Sequence, residues 1–532
     1  MPDPIAKVAE RLGLSPDEWD AWGPDRAKLT PAAVHRPRKG RLVLVTAITP
    51  TPAGEGKTTT GIGLAGGLQR RGHHTVVCLR EPSLGPVFGA KGGGTGGGAA
   101  RLHPADAIDL HFTGDLHAIT SANNLLAALV DNHVMRQASP TLSAQRVVWR
   151  RVLDMNDRAL REVITGLGAG NGAPPRPAST SPPRARSWRC VPRPRRGRPA
   201  QRLGRMIVGF GGPKRPPITA ADLGATGALS ALLHDAVRPN LVQTRDGVPA
   251  LVHGGPFANI AHGCSSVLAT TAGLGRADWV VTEAGFAMDL GGEKFFDIKC
   301  RTAGIAPAAV VLVATVRALA WHGDGTDTAA VQRGLENLER HVESVQAFGL
   351  TPVVALNRRQ GDADADIAAI RAWCSERGLR FAEADPYGAG GAGCEALADE
   401  VVAAAVPDPV LQPLYPLEAS IPDKIERIAT RIYGADGVDW SRKAEQGVRQ
   451  IEHLGLSGLP VCMAKTSASV SDDPSRRGRP RGFRVSVQEL RINAGAGFVV
   501  ALMGDIVRMP GLPAQPNALG IDVVDGEITG LR

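Results

Sequence analysis

A lysine and a threonine stand together at the end of a short loop near the N-terminus. The loop reads TPAGEGKTT over residues 51–59, with Lys57 followed directly by Thr58. The backbone N–H groups of such a loop and the positive end of the helix behind it bind phosphate, and the lysine adds a point charge. The hydroxyl after the lysine is placed to ligate Mg²⁺. The spacing therefore predicts a phosphate-binding loop.

The surrounding elements decide between that prediction and a plain glycine-rich turn with an exposed lysine. Thr51 stands where the common motif has its first glycine, so the motif by itself is imperfect. The β-branched, apolar run at 41–48 predicts a buried strand, residues 58–71 predict a helix, and residues 75–80 predict a second strand. This strand–loop–helix–strand order is the context that a phosphate loop requires.

Arg80 and Glu81 end that second strand. Ligands of open α/β sheets bind at the carboxyl ends of the strands, and an arginine there could clamp a carboxylate or a phosphate with two hydrogen bonds. An Arg–Glu pair on the surface is the alternative interpretation. The stretch 85–98 follows, contains Lys91 and is too rich in glycine for a structural turn. We interpret it as a backbone cradle or a lid.

Four further polar strings have no spacing that decides their role. They are HFTGDLH at 111–117, LDMNDR at 153–158, HGGPF at 253–257 and KFFDIK at 294–299. Each is either a substrate contact or an ordinary polar surface, and lone histidines more often have structural roles. The chain has no HxH or HExxH spacing that would indicate zinc.

Composition excludes several classes of protein. The chain has 532 residues, of which 43% are hydrophobic, enough for a well-formed core. We find no apolar run long enough to cross a bilayer and no secretory signal. The seven cysteines are scattered without a CxxC pair, which indicates reduced thiols and leads us to expect a cytoplasmic protein.

The net charge of +9 does not indicate a protein that binds nucleic acid. Eight arginines and no acidic residue lie within 173–199, so the rest of the chain is close to neutral. Only 4% of the residues are aromatic, without the basic–aromatic alternation used for base stacking. The excess charge belongs to one Pro/Arg-rich segment, 169–204, which has neither helix nor strand periodicity.

Strand and helix patterns alternate through most of the chain after a helical lead-in at 1–35. Further strands are predicted at 206–210, 279–282, 309–316, 352–357 and 380–384, and helices at 219–237, 327–348 and 362–377. The alternation predicts an α/β fold with a mostly parallel sheet and helices on both of its faces. From about residue 360 the pattern changes, and a strand at 484–492 indicates a smaller α+β region. We therefore predict two domains, 1–359 and 360–532.

Seven strings of this sequence, in their order along the chain, resemble the formate–tetrahydrofolate ligase family, also called formyltetrahydrofolate synthetases. The matching pieces run from about residue 45 to 515 and are TPAGEGKTTT, REPSLGPVFGAKGG, HFTGDLHAITSANNLLAA, LDMNDRALR, VPALVHGGPFANIAHG, EKFFDIKCR and MPGLP. A set of that length and order is far more specific than a phosphate loop alone. The resemblance implies a P-loop type of α/β fold.

The resemblance also implies a reaction. Formate, ATP and tetrahydrofolate would give 10-formyltetrahydrofolate, ADP and phosphate, through formyl phosphate. Lys57 would hold the transferring phosphoryl group, Thr58 would lie near Mg²⁺, and Arg80 would hold formate with Glu81 beside it. Asp115 is the residue that we expect to orient the attacking amine or to accept its proton.

The remaining implications concern binding and assembly. ATP would contact the whole loop, which consists of Thr51, Pro52, Ala53, Gly54, Glu55, Gly56, Lys57, Thr58 and Thr59. The family stacks the pterin on aromatic residues near a Gly-Gly loop, so we expect Tyr387 to contact folate, with Tyr415 as a second wall. The sequence departs from the family there, with YGAGG in place of a WAKGG-like string. The family is typically tetrameric and is activated by monovalent cations, so we expect a homotetramer.

Residues 169–204 are the second departure from the family. Both flanks match, but the Pro/Arg-rich interval stands where the family has a buried strand and a helix. A pair of compensating frameshifts in GC-rich codons would produce this composition, and a genuine disordered insertion is the alternative. Loss of a core element would favour a relative that binds nucleotide or folate without turnover. The residues around Lys57 and Arg80 favour an active ligase.

Overall fold

Strands and helices alternate along most of the chain. The computed structural model describes residues 2–161, 163, 199–212, 216–504, 506 and 510–531. In chain order the strands are β1 Trp19–Ala21, β2 Ala27–Leu29, β3 Arg41–Ala47, β4 Thr75–Leu79, β5 Gly96–Gly97, β6 Ala100–His103, β7 Ile207–Phe210, β8 Pro217–Thr219, β9 Asn240–Thr244, β10 Pro249–Val252, β11 Trp279–Glu283, β12 Ala309–Ala314, β13 Val353–Asn357, β14 Phe381–Ala384, β15 Val438–Trp440, β16 Val461–Ala464, β17 Val485–Asn493, β18 Phe498–Met503, β19 Asp522–Val524 and β20 Glu527–Thr529.

The α-helices lie between these strands. They are α1 Ile5–Arg11, α2 Pro31–Val34, α3 Lys57–Arg70, α4 Leu84–Phe88, α5 Ala105–Asp109, α6 Asp115–Met135, α7 Pro199–Gly204, α8 Thr226–Leu232, α9 Val267–Leu274, α10 Arg301–Ala303, α11 Val316–His322, α12 Thr328–Gln346, α13 Asp364–Glu376, α14 Pro386–Ala389, α15 Glu395–Ala404, α16 Ile421–Ile428 and α17 Arg442–His453. Wider π-type turns occupy Met288–Gly292, Phe295–Cys300 and Ala429–Tyr433. Short 3₁₀ turns occupy Pro16–Glu18, Ala144–Arg146, Arg158–Arg161, Ala392–Cys394 and Asn517–Gly520.

One large sheet organises the fold. Its strand order is β1–β2–β9–β10–β4–β11–β3–β12–β13–β14, and β6 pairs with β9 off this path. The seven strands from β10 to β14 in that order are parallel, whereas β9, β2 and β1 extend one edge in antiparallel fashion. The α/β class and the mostly parallel sheet that the sequence predicts are therefore confirmed.

Side chains of the central strands alternate between two buried faces. In β3, Val43 and Val45 belong to one apolar cluster, and Leu42 and Leu44 belong to the other. Helices α3 and α15 contribute to the first cluster, and α1, α2 and α9 contribute to the second. Because helices bury both faces, these strands are continuous apolar runs, which is the pattern of a parallel sheet.

A second sheet of four strands lies in the C-terminal part of the chain. Its order is β15–β17–β18–β16, with an antiparallel pair β17/β18 at the centre. Helix α17 packs against β17, and apolar residues of this sheet join the cluster that contains α1, α2 and α9. The large sheet itself continues through β14, beyond residue 360 where the sequence predicts a domain boundary.

Three local predictions differ from the structure. The lead-in contains α1 and α2, but it also forms β1 and β2, which join the large sheet. Strand β7 forms as predicted, but among the described residues it pairs with β8 in a separate hairpin. The capping box of Thr219 and Asp222 forms, yet the helix begins only at Thr226, because Gly224 adopts a left-handed conformation with a φ of 66°.

Of the Pro/Arg-rich segment, residues 169–198 lie outside the described residues, and α7 covers the remainder. Within the described part of the chain, no helix is both long and apolar enough to cross a membrane.

A buried polar network fixes the end of β3. The backbone N–H of Thr49 donates to Asn337 (3.2 Å), and the Thr49 hydroxyl contacts Nε2 of His341 (2.9 Å). The Thr49 carbonyl accepts from Nε2 of His322 (2.8 Å). Burial lowers the pKa of His341 to about 4, so this imidazole is neutral at neutral pH. Thr49 is thus held through its N–H, its hydroxyl and its carbonyl just before the predicted phosphate loop.

This network generates a prediction about proton uptake. An unfolded histidine binds a proton below about pH 6.5, whereas folded His341 does so only near pH 4. Unfolding at about pH 5.5 therefore takes up about 0.9 proton at this residue, and acidification through this range destabilises the fold. We expect His341→Gln to take up about 0.9 proton less than wild type when unfolded by denaturant in a pH-stat. The control His234→Gln removes an exposed histidine. Equal uptake by wild type and His341→Gln would contradict the assignment.

Candidate active site

The carboxyl ends of three central strands, β3, β11 and β4, lie side by side in the large sheet. β11 lies between β3 and β4, and the register pairs Glu283 with Val45 and Thr282 with Cys78. The loop after β3, Glu283 at the end of β11 and Arg80 after β4 are therefore neighbours. The chain runs from β3 through α3 to β4, which lies on one side of β3 in the sheet. It later runs from β11 to β12, which lies on the other side of β3. Ligands of open α/β sheets bind at such a reversal of strand order.

The carboxylate of Glu283 joins the two predicted anion-binding residues. Its Oε2 accepts a hydrogen bond from the hydroxyl of Thr58 (2.9 Å). Its Oε1 accepts from Nη2 (3.1 Å) and Nε (3.4 Å) of Arg80. The side chain of Glu283 is 5% exposed and that of Arg80 is 22% exposed. Gly285 permits this approach, because a Cβ there would lie 2.8 Å from Nη1 of Arg80. Thr58 and Arg80 thus both donate hydrogen bonds to the same nearly buried carboxylate.

Sequence reasoning missed Glu283. The available signal was an acidic residue at the end of the otherwise apolar run WVVTE. A charge at the carboxyl end of a buried parallel strand is costly unless it meets a partner or a ligand. That signal becomes informative only when β11 is known to lie between β3 and β4.

Glu55 braces the loop from within the protein. Its Oε1 accepts from the N–H (2.8 Å) and the hydroxyl (2.9 Å) of Thr51, and its Oε2 accepts from Thr315 (2.7 Å). The carbonyl of Glu55 accepts from Asn357 (3.0 Å). Gly56 has a φ of 73°, and a Cβ there would lie 2.4 Å from the Asn357 amide. The Glu55 carboxylate therefore holds the shape of the loop, and its two oxygens already have partners inside the protein.

The open side of the loop carries the other predicted ATP contacts. Pro52 and Ala53 are exposed, and Thr59 is partly exposed. Helix α3 starts at Lys57, so the N–H groups of its first turn point out of the helix without intrahelical acceptors. Burial lowers the pKa of Lys57, whereas the carboxylates of Glu283 and Glu55 oppose that shift. This end of α3 can receive an anion.

A second polar cluster contains a buried ion pair between Lys28 and Asp115. The ammonium of Lys28 donates to Oδ1 of Asp115 (2.7 Å) and to Oδ1 of Asn240 (2.8 Å). The amide of Asn240 donates to Oδ2 of Asp115 (2.9 Å). Lys28, Asp115 and Asn240 therefore form a closed ring of hydrogen bonds, and each member is at most 1% exposed.

The surroundings of Asp115 differ from those expected of a residue that contacts the substrate amine. Both of its oxygens already accept hydrogen bonds within the ring, and the side chain is 1% exposed. The structure therefore presents Asp115 as the counter-ion of Lys28 and leaves it no exposed oxygen for the amine of a substrate.

Glu81 is the unsatisfied carboxyl group of this region. It is 2% exposed, and its Oε2 has no hydrogen-bond partner among the described residues. Burial raises the pKa of Glu81 well above its usual range, and the negative charges of Asp115 and Asp154 act in the same direction. Lys28 opposes them. The surroundings of Glu81 thus favour its protonated form, and the surface Arg–Glu pair that its sequence also allowed does not form.

The glycine-rich stretch is held at several points. Asp109 accepts from the N–H of Gly94 (2.9 Å) and the hydroxyl of Thr95 (2.9 Å), and burial raises the pKa of Asp109 to about 6. The ammonium of Lys91 lies 4.4 Å from the ring centroid of Phe286, which has a φ of 61°. Such a conformation is rare for a bulky residue. This stretch therefore packs beside the segment that follows Glu283.

The two predicted folate contacts have different surroundings. Tyr387 is 67% exposed and rests on Gly97 and Gly98, where a Cβ at Gly98 would lie 2.8 Å from the Tyr387 ring. Tyr415 is 1% exposed, accepts from the N–H of Val461 (3.1 Å) and faces the guanidinium of Arg301 (4.8 Å). Tyr387 offers an open aromatic face, whereas Tyr415 is a core residue without a free face.

The glycines of α3 bring the Tyr387 segment to this site. A Cβ at Gly63 would lie 2.7 Å from Pro386, and one at Gly67 would lie 2.6 Å from the carbonyl of Cys394. Only residues without a side chain allow α3 to pack this closely against α14 and the turn that follows it. The structure therefore brings together Lys57, Thr58, Arg80 and Glu283, with Tyr387 on an adjoining segment.

Comparison of the whole sequence with known proteins agrees with the resemblance. A family model described as formate–tetrahydrofolate ligase matches residues 1–532. Proteins named formate–tetrahydrofolate ligase from Thermus thermophilus and Myxococcus xanthus are each 51% identical, over 99% of this chain and 98% of their own length. One from Paenarthrobacter aurescens is 50% identical over 99% of this chain and 96% of its own. The chain therefore belongs to the formate–tetrahydrofolate ligase family.

Proposed function

We propose that this chain ligates formate to tetrahydrofolate with ATP, through formyl phosphate, and releases ADP and phosphate. The observation that carries the proposal is the Glu283 carboxylate, which contacts Thr58 of the loop and Arg80 at the same time. A nucleotide phosphate on the loop and a small carboxylate on Arg80 would then be neighbours. Positioning of this kind is the main requirement of phosphoryl transfer.

The first step joins these two anions. A formate oxygen attacks the γ-phosphorus of ATP, the bond from that phosphorus to the β-bridging oxygen breaks, and ADP takes the electron pair. Lys57 and the first N–H groups of α3 stabilise the transferring phosphoryl group, and Arg80 orients formate with two parallel hydrogen bonds. Formyl phosphate is the product, in which the formyl carbon has gained a good leaving group.

Mg²⁺ is the metal that ATP-dependent transfer on such a loop implies. Thr58 and Glu283 would hold it, because a hydroxyl and a carboxylate oxygen are donors of the hard type that Mg²⁺ prefers. The ion would neutralise charge on the phosphates. The described residues contain no group of three or more His, Cys, Asp or Glu side chains that could hold a metal by themselves. That fits an ion bound together with a nucleotide.

The second step transfers the formyl group. The aryl amine of tetrahydrofolate attacks the formyl carbon, the C–O bond to phosphate breaks, and phosphate leaves with the electron pair. Because Asp115 has no exposed oxygen, we assign the amine proton to the departing phosphate, which becomes hydrogen phosphate. The exposed ring of Tyr387 is the proposed stacking surface for the pterin. Tyr415 takes no part, because its ring is buried.

The overall proposal is tested by ADP release with each substrate omitted in turn. We expect steady release only when formate and tetrahydrofolate are both present, and at most one ADP per site with formate alone, because formyl phosphate then stays bound. ADP formation that ignores both substrates would contradict the proposal. Nucleotide or folate binding without any release would instead favour the catalytically impaired relative that residues 169–204 suggest.

Replacing the shared carboxylate tests the link between the two anion sites. Glu283→Gln keeps the size of the side chain, but an amide cannot accept from Thr58 and Arg80 with both of its heavy atoms. We expect kcat/KM for ATP to fall by about 100-fold, the usual effect of losing one preorganised group at such a site. The control Glu489→Gln removes a carboxylate of β17 that binds Arg491 in the same strand and Lys443 in α17. A Glu283→Gln enzyme within about threefold of wild type would argue against this role.

Replacing the arginine tests the formate contact. Arg80→Lys keeps the charge but loses the planar fork that matches a carboxylate. We expect the KM for formate to rise about tenfold, with little change in the KM for ATP. Arg71→Lys is the matched control, because Arg71 is exposed and contacts both carboxylate oxygens of Asp399 (2.8 and 2.6 Å) away from this site. Equal changes in the two KM values would contradict a formate-specific role.

A further inference from the structure

We propose that Asn337 and His322 are positioning residues for the phosphate loop, and that through them a C-terminal segment of the chain holds the loop in place. This segment is Arg477–Gly478–Arg479, which lies in the connection from β16 to β17. Because this role takes the loop as the contact for ATP, it rests on the proposed function. It gives residues of the second sheet a part in ATP binding.

Four hydrogen bonds form a closed ring between the peptide groups of Thr49 and Gly478. The Thr49 N–H donates to Oδ1 of Asn337 (3.2 Å), and Nδ2 of Asn337 donates to the Gly478 carbonyl (2.7 Å). The Gly478 N–H donates to Nδ1 of His322 (3.3 Å), and Nε2 of His322 donates to the Thr49 carbonyl (2.8 Å). Asn337, Thr49 and His322 are at most 4% exposed. Neither peptide group can shift without leaving buried polar atoms unpaired.

Both side chains of the ring have one state that satisfies every contact. Nε2 of His322 faces a carbonyl and Nδ1 faces an N–H, so the imidazole is the neutral tautomer with its proton on Nε2. Burial lowers the pKa of His322, which favours this neutral form. Nδ2 of Asn337 also donates to the Thr49 hydroxyl (3.1 Å). A buried network that is satisfied in this way specifies a single arrangement.

The segment 477–479 is anchored on both sides of its glycine. The guanidinium of Arg477 lies 4.0 Å from the ring centroid of Trp321 in α11, and Arg479 donates to both carboxylate oxygens of Glu343 in α12 (2.8 and 2.9 Å). Gly478 has a φ of 65°, and a Cβ there would lie 2.8 Å from the carbonyl at the end of α11. Only a residue without a side chain therefore allows this approach.

The ring acts on the loop through its first residues. Thr49 precedes Thr51 by two residues, and the N–H and hydroxyl of Thr51 accept their bracing from Glu55 (2.8 and 2.9 Å). A shift of Thr49 would therefore move Thr51 and disturb the bracing of the loop. Arg80, the proposed formate contact, follows a different strand, β4. We infer that loss of the ring weakens ATP binding more than formate binding.

A pair of glycine variants tests the distant end of the ring. Gly478→Ala pushes the segment away from α11, and we expect the KM for ATP to rise about tenfold while the KM for formate stays within about threefold. Gly482→Ala is the matched control. Gly482 has the same left-handed backbone with a φ of 63°, but no heavy atom of the described residues lies within 4 Å of a Cβ built there. We expect its KM for ATP to equal that of wild type.

A pair of threonine variants tests the end of the ring that adjoins the loop. Thr49→Val keeps the shape of the side chain but removes the hydroxyl that contacts Asn337 and His341. We expect the KM for ATP to rise about tenfold, because buried polar atoms lose their partner. Thr49→Ser keeps the hydroxyl and should restore the KM for ATP to within about threefold of wild type.

Equal KM values for ATP in Gly478→Ala and Gly482→Ala would overturn the inference, and so would a KM for formate that rises as much as the KM for ATP. If Gly478→Ala fails to fold, as judged by circular dichroism, the threonine pair decides. Equal KM values for ATP in Thr49→Val and Thr49→Ser would then overturn it. Failure of the proposed function appears separately, as ADP release by the wild-type protein that does not depend on formate.

Discussion

The contact of Glu283 with both Thr58 and Arg80 is the interaction on which the arrangement of this site depends. A carboxylate that is 5% exposed is unfavourable unless it meets donors or a cation. Here the donors come from two different strand connections, so the burial of one charge fixes the distance between the phosphate loop and Arg80. Sheet order is the prerequisite. Only with β11 between β3 and β4 does a single residue reach both neighbours.

Glycines at a few positions make these close contacts possible. Gly56 allows the turn that brings the loop onto Asn357, and Gly285 leaves room for the guanidinium of Arg80. The glycines of α3 have another function, since they let α14 approach and place Tyr387 on the glycine-rich stretch. A helix with this many glycines is intrinsically weak. Its stability must therefore come from tertiary packing against the sheet and α15.

The sequence predicted the parts of the fold that depend on local pattern. The elements β3, α3 and β4 occur within one or two residues of their predicted limits, because apolar runs and helix periodicity are local signals. Glu283 and Lys28 were missed because their roles depend on contacts between distant parts of the chain. Glu283 matters only through the order of the sheet, and Lys28 lies on β2, a three-residue strand between β1 and β9 that pairs with β9 more than 200 residues later. The burial of Tyr415, the expected second wall of the folate site, was not predicted, because aromatic identity does not reveal burial.

The two charged clusters differ in what a ligand can do to them. At the first, Arg80 and Glu283 are each other's partners, and Arg80 remains 22% exposed, so an incoming anion or cation can replace one partner. At the second, Lys28, Asp115 and Asn240 satisfy one another completely and are shielded from solvent. Breaking a buried pair by removing one member costs several kcal/mol, about 3–5 in known cases. A ligand can therefore rearrange the first cluster but not the second. The second cluster is a fixed part of the fold, whereas the first is the one at which we propose that the substrates bind.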